Sequence, residues 1–123
     1  MDKRIRGCVG INDSDGDFLE DIEQCMAITA DLSRADLQLC ALLSSEQGVV
    51  ASHAAPHSIS SIYRQSTEGL TFSRDEQPLV FNAIWHNRSG RRRRDVLKDG
   101  APIIQDVYPI RNASGRPIAA LVV

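Results

Sequence analysis

At 123 residues the chain is the size of one domain, long enough to bury roughly two thirds of the surface its unfolded form exposes. Apolar residues make up 42% and charged residues 24%, which excludes a disordered chain, and no apolar run approaches the ~20 residues a bilayer requires. The net charge of −2 offers no overall attraction to nucleic acid.

The charges are segregated. Residues 1 to 36 carry nine acids against four bases, and residues 88 to 116 carry eight bases against three acids. Such asymmetry can guide docking between domains or subunits, or it can be solvated surface. The start, "MDKRIRGCVG", is basic but leads into no apolar core, so it does not read as a secretory signal. The three cysteines, Cys8, Cys25 and Cys40, are odd in number and form no C-x-x-C pair, which argues against a disulfide framework and a thiolate zinc site. A reducing cytoplasm fits them best.

In chain order, "INDSDGD" is a polar lead-in. Phe18, Ile22, Cys25, Met26, Thr29 and Leu32 then recur at helical spacing, predicting a helix over 17–31 capped by Asp15 or Asp17. "ADLQLCALLS" and "VVASHA" predict two strands joined by a turn at Glu46-Gln47-Gly48. "APHSISSIYRQSTEGLTF" reads as a long crossover with a short helical turn near 58–64. In "SRDEQPLVFNAIWHNRSG" a Ser73 and Glu76 capping box, Pro78 in the first turn and the stripe Leu79, Val80, Ala83, Ile84 predict a second helix, stopped by Gly90. "RRRRDVL" follows and fits an exposed edge strand protected by charge.

The last stretch, "APIIQDVYPIRNASGRPIAALVV", predicts a hairpin turning at "NASG". In its final strand Ile118, Ala120 and Val122 point one way, and Ala119, Leu121 and Val123 the other. A strand apolar on both faces is covered on both, so it belongs in the middle of a sheet. The predicted architecture is an α+β sandwich: an antiparallel five-stranded sheet with helices packed on one face and a crossover, carrying a helix of its own, on the other.

This order resembles the GAF and PAS sensor folds. "ITADLSRADLQLCAL" looks like the helix end and first strand of the GAF-like N-terminal domain of cytosolic two-component sensor histidine kinases. "EQPLVFNAIWHNRSG" is similar to the helix that follows there. "DGAPIIQDVYPIRNASGRPIAALVV" resembles its closing hairpin, with a "DG-x-P" turn and a "GRxIAVL" strand. The resemblance covers most of residues 27–123 and implies one sensory domain over 1–123, the N-terminal part of a longer kinase. Downstream PAS and kinase domains, a homodimer and a small-molecule ligand are the implied partners, with no cofactor specified and no membrane or nucleic acid expected. The Arg91–Arg94 run is more basic than the family's usual pattern.

The fold so implied sets its ligand cavity between the front of the sheet and the crossover, residues 53–75, with Cys40, His53, Tyr63, Phe72 and Tyr108 as candidate lining. Cys40 would either line that pocket and report oxidants or be a small buried hydrophobe. His53, His57 and His86 could approach one another as metal ligands, although Pro56 breaks the helical spacing, and ordinary histidines fit better. "DSDGD" fails the calcium-loop spacing. Arg91–Arg94 could grip phosphates, but no aromatic residues are interleaved. No nucleophile, base and acid share a recognisable context, so the chain is not expected to catalyse a reaction. Three readings remain: a ligand sensor, a dimerisation or docking module with a filled interior, and a polyanion binder.

Overall fold

The computed structural model describes residues 1–8, 10–56, 66–95 and 102–123. A 3-10 turn at Lys3–Gly7 precedes helix α1 (Asp13–Ser33), strands β1 (Leu37–Leu42), β2 (Gln47–Ala54) and β3 (Thr71–Ser73), helix α2 (Pro78–His86) and strands β4 (Gly90–Asp95), β5 (Pro102–Arg111) and β6 (Pro117–Val122). The strands form one antiparallel sheet in the order β3-β2-β1-β6-β5-β4.

The sheet has six strands rather than the predicted five. The extra one, β3, is only three residues long, Thr71-Phe72-Ser73, too short to leave a period-two pattern in the crossover. The helices also divide between the two faces. Leu37, Leu39 and Ala41 share a core with Leu19, Met26 and Ala30 of α1, whereas Cys40 and Leu42 share one with Val80, Phe81 and Ala83 of α2. Neighbouring strand residues point to opposite faces, so α1 lies behind the sheet and α2 in front of it.

Helix α1 begins at Asp13, ahead of the expected start. Its cap is Asn12, whose Oδ1 accepts from the Asp15 N–H at 2.8 Å, while the Asp15 carboxylate accepts from the Asn12 N–H at 3.4 Å. The helix ends where Arg34 turns left-handed with φ of 55° and donates its N–H to Ala30. Helix α2 starts at Pro78, whose ring is preset for a first turn. The predicted box does form, with Glu76 N–H to Ser73 Oγ at 3.3 Å and Ser73 N–H to Glu76 Oε1 at 3.0 Å, but it closes a turn ahead of the helix. Asn87, with φ of 54°, ends α2 before Gly90, which opens β4. The predicted helical turn near 58–64 lies outside the described residues.

Strand β6 is central, hydrogen-bonded to β1 on one side and β5 on the other. Ala120 and Val122 face α2, and Ala119 and Leu121 face the α1 side. Ile118, expected with Ala120 and Val122, joins the α1 cluster, next to the place where the ladder's register shifts at Ile110/Arg111. The "NASG" turn closes through Gly115 N–H to the Asn112 carbonyl at 2.9 Å, and its Gly115 has φ of 81°. Buried Asp15 fastens this turn to α1 by accepting from Asn112 Nδ2 at 3.2 Å and Arg116 Nη2 at 3.3 Å.

Strand β4 is an outer strand, as charge protection requires. Its Arg91 forks onto Asp106 of β5 at 2.6 and 3.2 Å, and this guanidinium holds the Asp106 carboxyl below its ordinary value.

The β2–β3 edge depends on Gly48, because a Cβ there would meet the Phe72 ring at 2.5 Å and the Ala41 carbonyl oxygen at 3.0 Å. Gly48→Ala is therefore expected to displace Phe72 and cost about 1–3 kcal/mol, the usual penalty for overpacking. The check is a lower urea midpoint with an unchanged slope.

Candidate functional site

The front face is covered unevenly. Over Cys40, Leu42, Val50, Phe72, Val107, Ala120 and Val122 it is apolar and packed under α2. Towards the start of β1 it turns polar. Gln38 follows Cys40 by alternation and pairs with His53 of β2, so both point forward. Gln38 Nε2 donates to Thr67 Oγ1 at 2.8 Å, and the Thr67 N–H donates to His53 Nδ1 at 2.9 Å. Because Nδ1 accepts, the ring hydrogen is on Nε2, which donates to Asp36 Oδ2 at 3.0 Å. Asp36, Gln38 and Thr67 are all buried. The chain thus ties the far end of its crossover to the sheet through a continuous polar row.

On the same face of β5, two residues from Val107, stands Gln105. It is 1% exposed, and neither its Nε2 nor its Oε1 has a hydrogen-bond partner among the described residues. A buried amide left open at both ends costs of order 1–3 kcal/mol, so its retention calls for a reason.

The candidates from the sequence separate. Cys40, His53 and Phe72 share the front face, but not one open pocket. Cys40 lies under α2, where burial pushes its thiol up to about 12, so it is a small core hydrophobe rather than a reactive thiol. Phe72 packs edge-on against Phe81 with ring centroids 6.2 Å apart. His53 is committed through both ring nitrogens to protein groups, which removes it as a metal ligand. His86 is exposed at the end of α2, His57 lies outside the described residues, and no metal-holding cluster exists among the described residues. Tyr108 is a correction: it follows Val107, pairs with Leu121, and points to the opposite face, 44% exposed. Its apolar flanks, Val107 and Pro109, hid the alternation that fixes its side. Tyr63 lies outside the described residues.

Asp36, Gln38, Thr67 and Gln105 were missed. The available signal was period two: Gln105 alternates with Val107, and Gln38 alternates with Cys40, so each places an amide on a face that is otherwise core.

Over its full length, residues 1–123, the chain matches the family described as the histidine kinase PdtaS GAF domain. The chain belongs to that family. This GAF domain is a sensory and regulatory domain of a histidine kinase rather than a catalytic one. Its fold is also that of a solved sensor region of a sensor histidine kinase, with a TM-score of 0.72 at 18% sequence identity. The likeness covers 96% of this chain and 38% of that one, so the GAF domain spans well under half of the neighbour's length. No curated protein matches the chain. Among the described residues, no helix is long and apolar enough to cross a membrane.

The raised thiols give a pH prediction. Cys40 stays protonated in the fold up to about 12, and Cys8 up to about 11, whereas unfolded thiols ionise near 9.0. Above that value the folded chain holds more protons than the unfolded one, so stability falls as pH rises. For Cys40 the slope is about 1.4 kcal/mol per pH unit. Urea titrations from neutral to alkaline pH should show a shallower decline for Cys40→Ala than for the parent; parallel declines would show that Cys40 does not contribute.

Proposed function

We propose that this GAF domain receives a small-molecule signal on the front of its sheet for a cytoplasmic two-component histidine kinase. The observation that carries this reading is Gln105, buried to 1% exposure with neither its donor nor its acceptor partnered among the described residues. A fold that keeps an open amide inside carries a destabilising group unless something visiting the site completes its hydrogen bonds. On the same face, across β6, the row of Gln38, Thr67, His53 and Asp36 offers polar groups that are already held in place. The ligand class that fits is small and uncharged, with an acceptor and a donor side by side to meet an amide.

His53 has a positioning part in this reading. Through Thr67 it holds the end of the crossover against β2, so a ligand that prefers one arrangement of the crossover shifts a two-state equilibrium. The downstream PAS and kinase domains of the same protein, working as a dimer, carry out phosphotransfer. The domain itself supplies the bias.

Gln105→Leu separates a binding role from a structural one. Replacing an unsatisfied amide by an apolar group of similar size should hold or raise the melting temperature by a few degrees. The same variant should abolish the thermal shift produced by any hit from a library of small neutral amides, lactams and ureas. A lowered melting temperature together with unchanged ligand shifts would overturn the proposal.

A further inference from the structure

Gln105 has a neighbour that the polar row does not include. Strand β4 pairs with β5 in a register that sets Arg92 opposite Gln105, next to the pairs Arg91–Asp106 and Gly90–Val107. Opposed residues of an antiparallel pair stand on one face with their Cβ atoms about 5 Å apart. Arg92 therefore shares the front face with Gln105, while Arg91, one residue away, is turned to the back and forks onto Asp106. A groove of about 300 Å³, floored by Leu37 and Leu121, lies on that back face, and the sheet separates it from Gln105.

Arg92 is half-buried, and no hydrogen bond or ion pair joins its guanidinium to another described residue. The contrast with Arg91 is direct, since that side chain is the more exposed of the two and still holds a carboxylate. Drawing a guanidinium partly out of water without an acceptor is costly. Here it happens opposite an amide whose Nε2 and Oε1 are also unpartnered among the described residues. The two groups differ in depth. Gln105 is 1% exposed, and Arg92 is on β4, the outer strand at this end of the sheet.

We propose that Arg92 is a second binding residue of the Gln105 site, and that the ligand is a cyclic imide or acyl urea, a neutral ring with a carbonyl on each side of an N–H. The inference rests on the front-face ligand reading and narrows it. Gln105 forms the base of the site and Arg92 its rim. The Gln105 amide donates from Nε2 to one carbonyl and accepts the ring N–H at Oε1. The second carbonyl stands on the far flank of that N–H. A guanidinium, which donates and cannot accept, is the group that meets it. A lactam fills Gln105 but leaves Arg92 open. A carboxylate fills Arg92 but brings no donor to Oε1. The imide edge satisfies all three demands.

The test uses the 123-residue chain and probes of similar size, glutarimide, δ-valerolactam and glutarate, with affinities read from amide NMR shifts. Glutarimide should bind about tenfold more tightly than δ-valerolactam, the gain from one added charge-assisted hydrogen bond. Arg92→Leu should bring glutarimide down to the level of the lactam. Arg92→Lys should restore part of the preference, since an ammonium also donates. Gln105→Leu should abolish binding of both. Equal binding of imide and lactam to the parent chain, with both lost in Gln105→Leu, overturns the imide assignment and leaves the Gln105 reading standing. So does a preference for the imide that survives Arg92→Leu with circular dichroism unchanged. Glutarate binding more tightly than glutarimide also overturns it, since Arg92 would then take an anion. Binding of neither neutral probe overturns both the assignment and the reading beneath it.

Discussion

The structure depends on one constraint: strand β6 must satisfy its backbone on both edges and its side chains on both faces. Its N–H and C=O groups find partners in β1 and β5, strands separated by about half of the chain. Pairing the last strand with the first brings the two halves of the sequence into one sheet. It also forces small residues at the centre, since Ala119 and Ala120 are both fully buried between opposing layers. Larger side chains there would push α1 or α2 off the sheet. The clamp of Asp15 on Asn112 and Arg116 then fixes the hairpin tip to the start of α1, so the same strand sets the helix's position.

That constraint explains how the front face is divided. Helix α2 has only nine residues, about 13 Å by its rise, which is too short to cover a six-stranded sheet. It takes the end bearing Cys40, Leu42 and Ala120 and fills it with Val80, Phe81 and Ala83. Elsewhere on that face the side chains are Gln38, His53 and Gln105, with Gln38 and Gln105 buried. Placing polar groups there is expensive unless they bond to something. The first two do, through Thr67 and Asp36. Gln105 finds no partner among the described residues, and that difference sets it apart from Gln38 and His53.

Much of this was legible from residues alone. The doubly apolar pattern at 118–123 required a central strand, and β6 is one. The helices, the "NASG" hairpin and the charged outer strand followed from caps, turn residues and periodicity. Boundaries were less legible because competing local signals exist: Asn12, Asp15 and Asp17 can each cap a helix, and tertiary locking of Asp15 by Arg116 selects the first. The short strand β3 owes its existence to pairing with β2, which no three-residue window encodes. The site was legible only in outline. His53 stands beside the crossover in the sequence, and its bonds to Asp36 and Thr67 make it a tether rather than a lining group. Tyr108 looked like pocket lining because aromatic residues often are, but parity with Val107 sends it to the other face. Gln105 was passed over because a single amide in "PIIQDV" looks like surface, and only the sheet shows that its face is interior.

The two faces are closer in mechanism than in space. A sheet is one backbone thick, so the strand segments behind the front polar row are those in front of the back groove. Gln38 and Val122 pair on the front; Leu37 and Leu121, each one residue away, floor the groove behind. In a close-packed interior such residues cannot move independently, because a shift of β1 against β6 reaches both sets. Coupling between the front polar row and the groove behind it would therefore need no long pathway. It would need two arrangements of β1, β6 and β5, and anything bound on one face that preferred one of them would change affinity on the other by the same factor. A strand covered on both sides, required first for stability, is for that reason suited to pass a bias from one surface to the other.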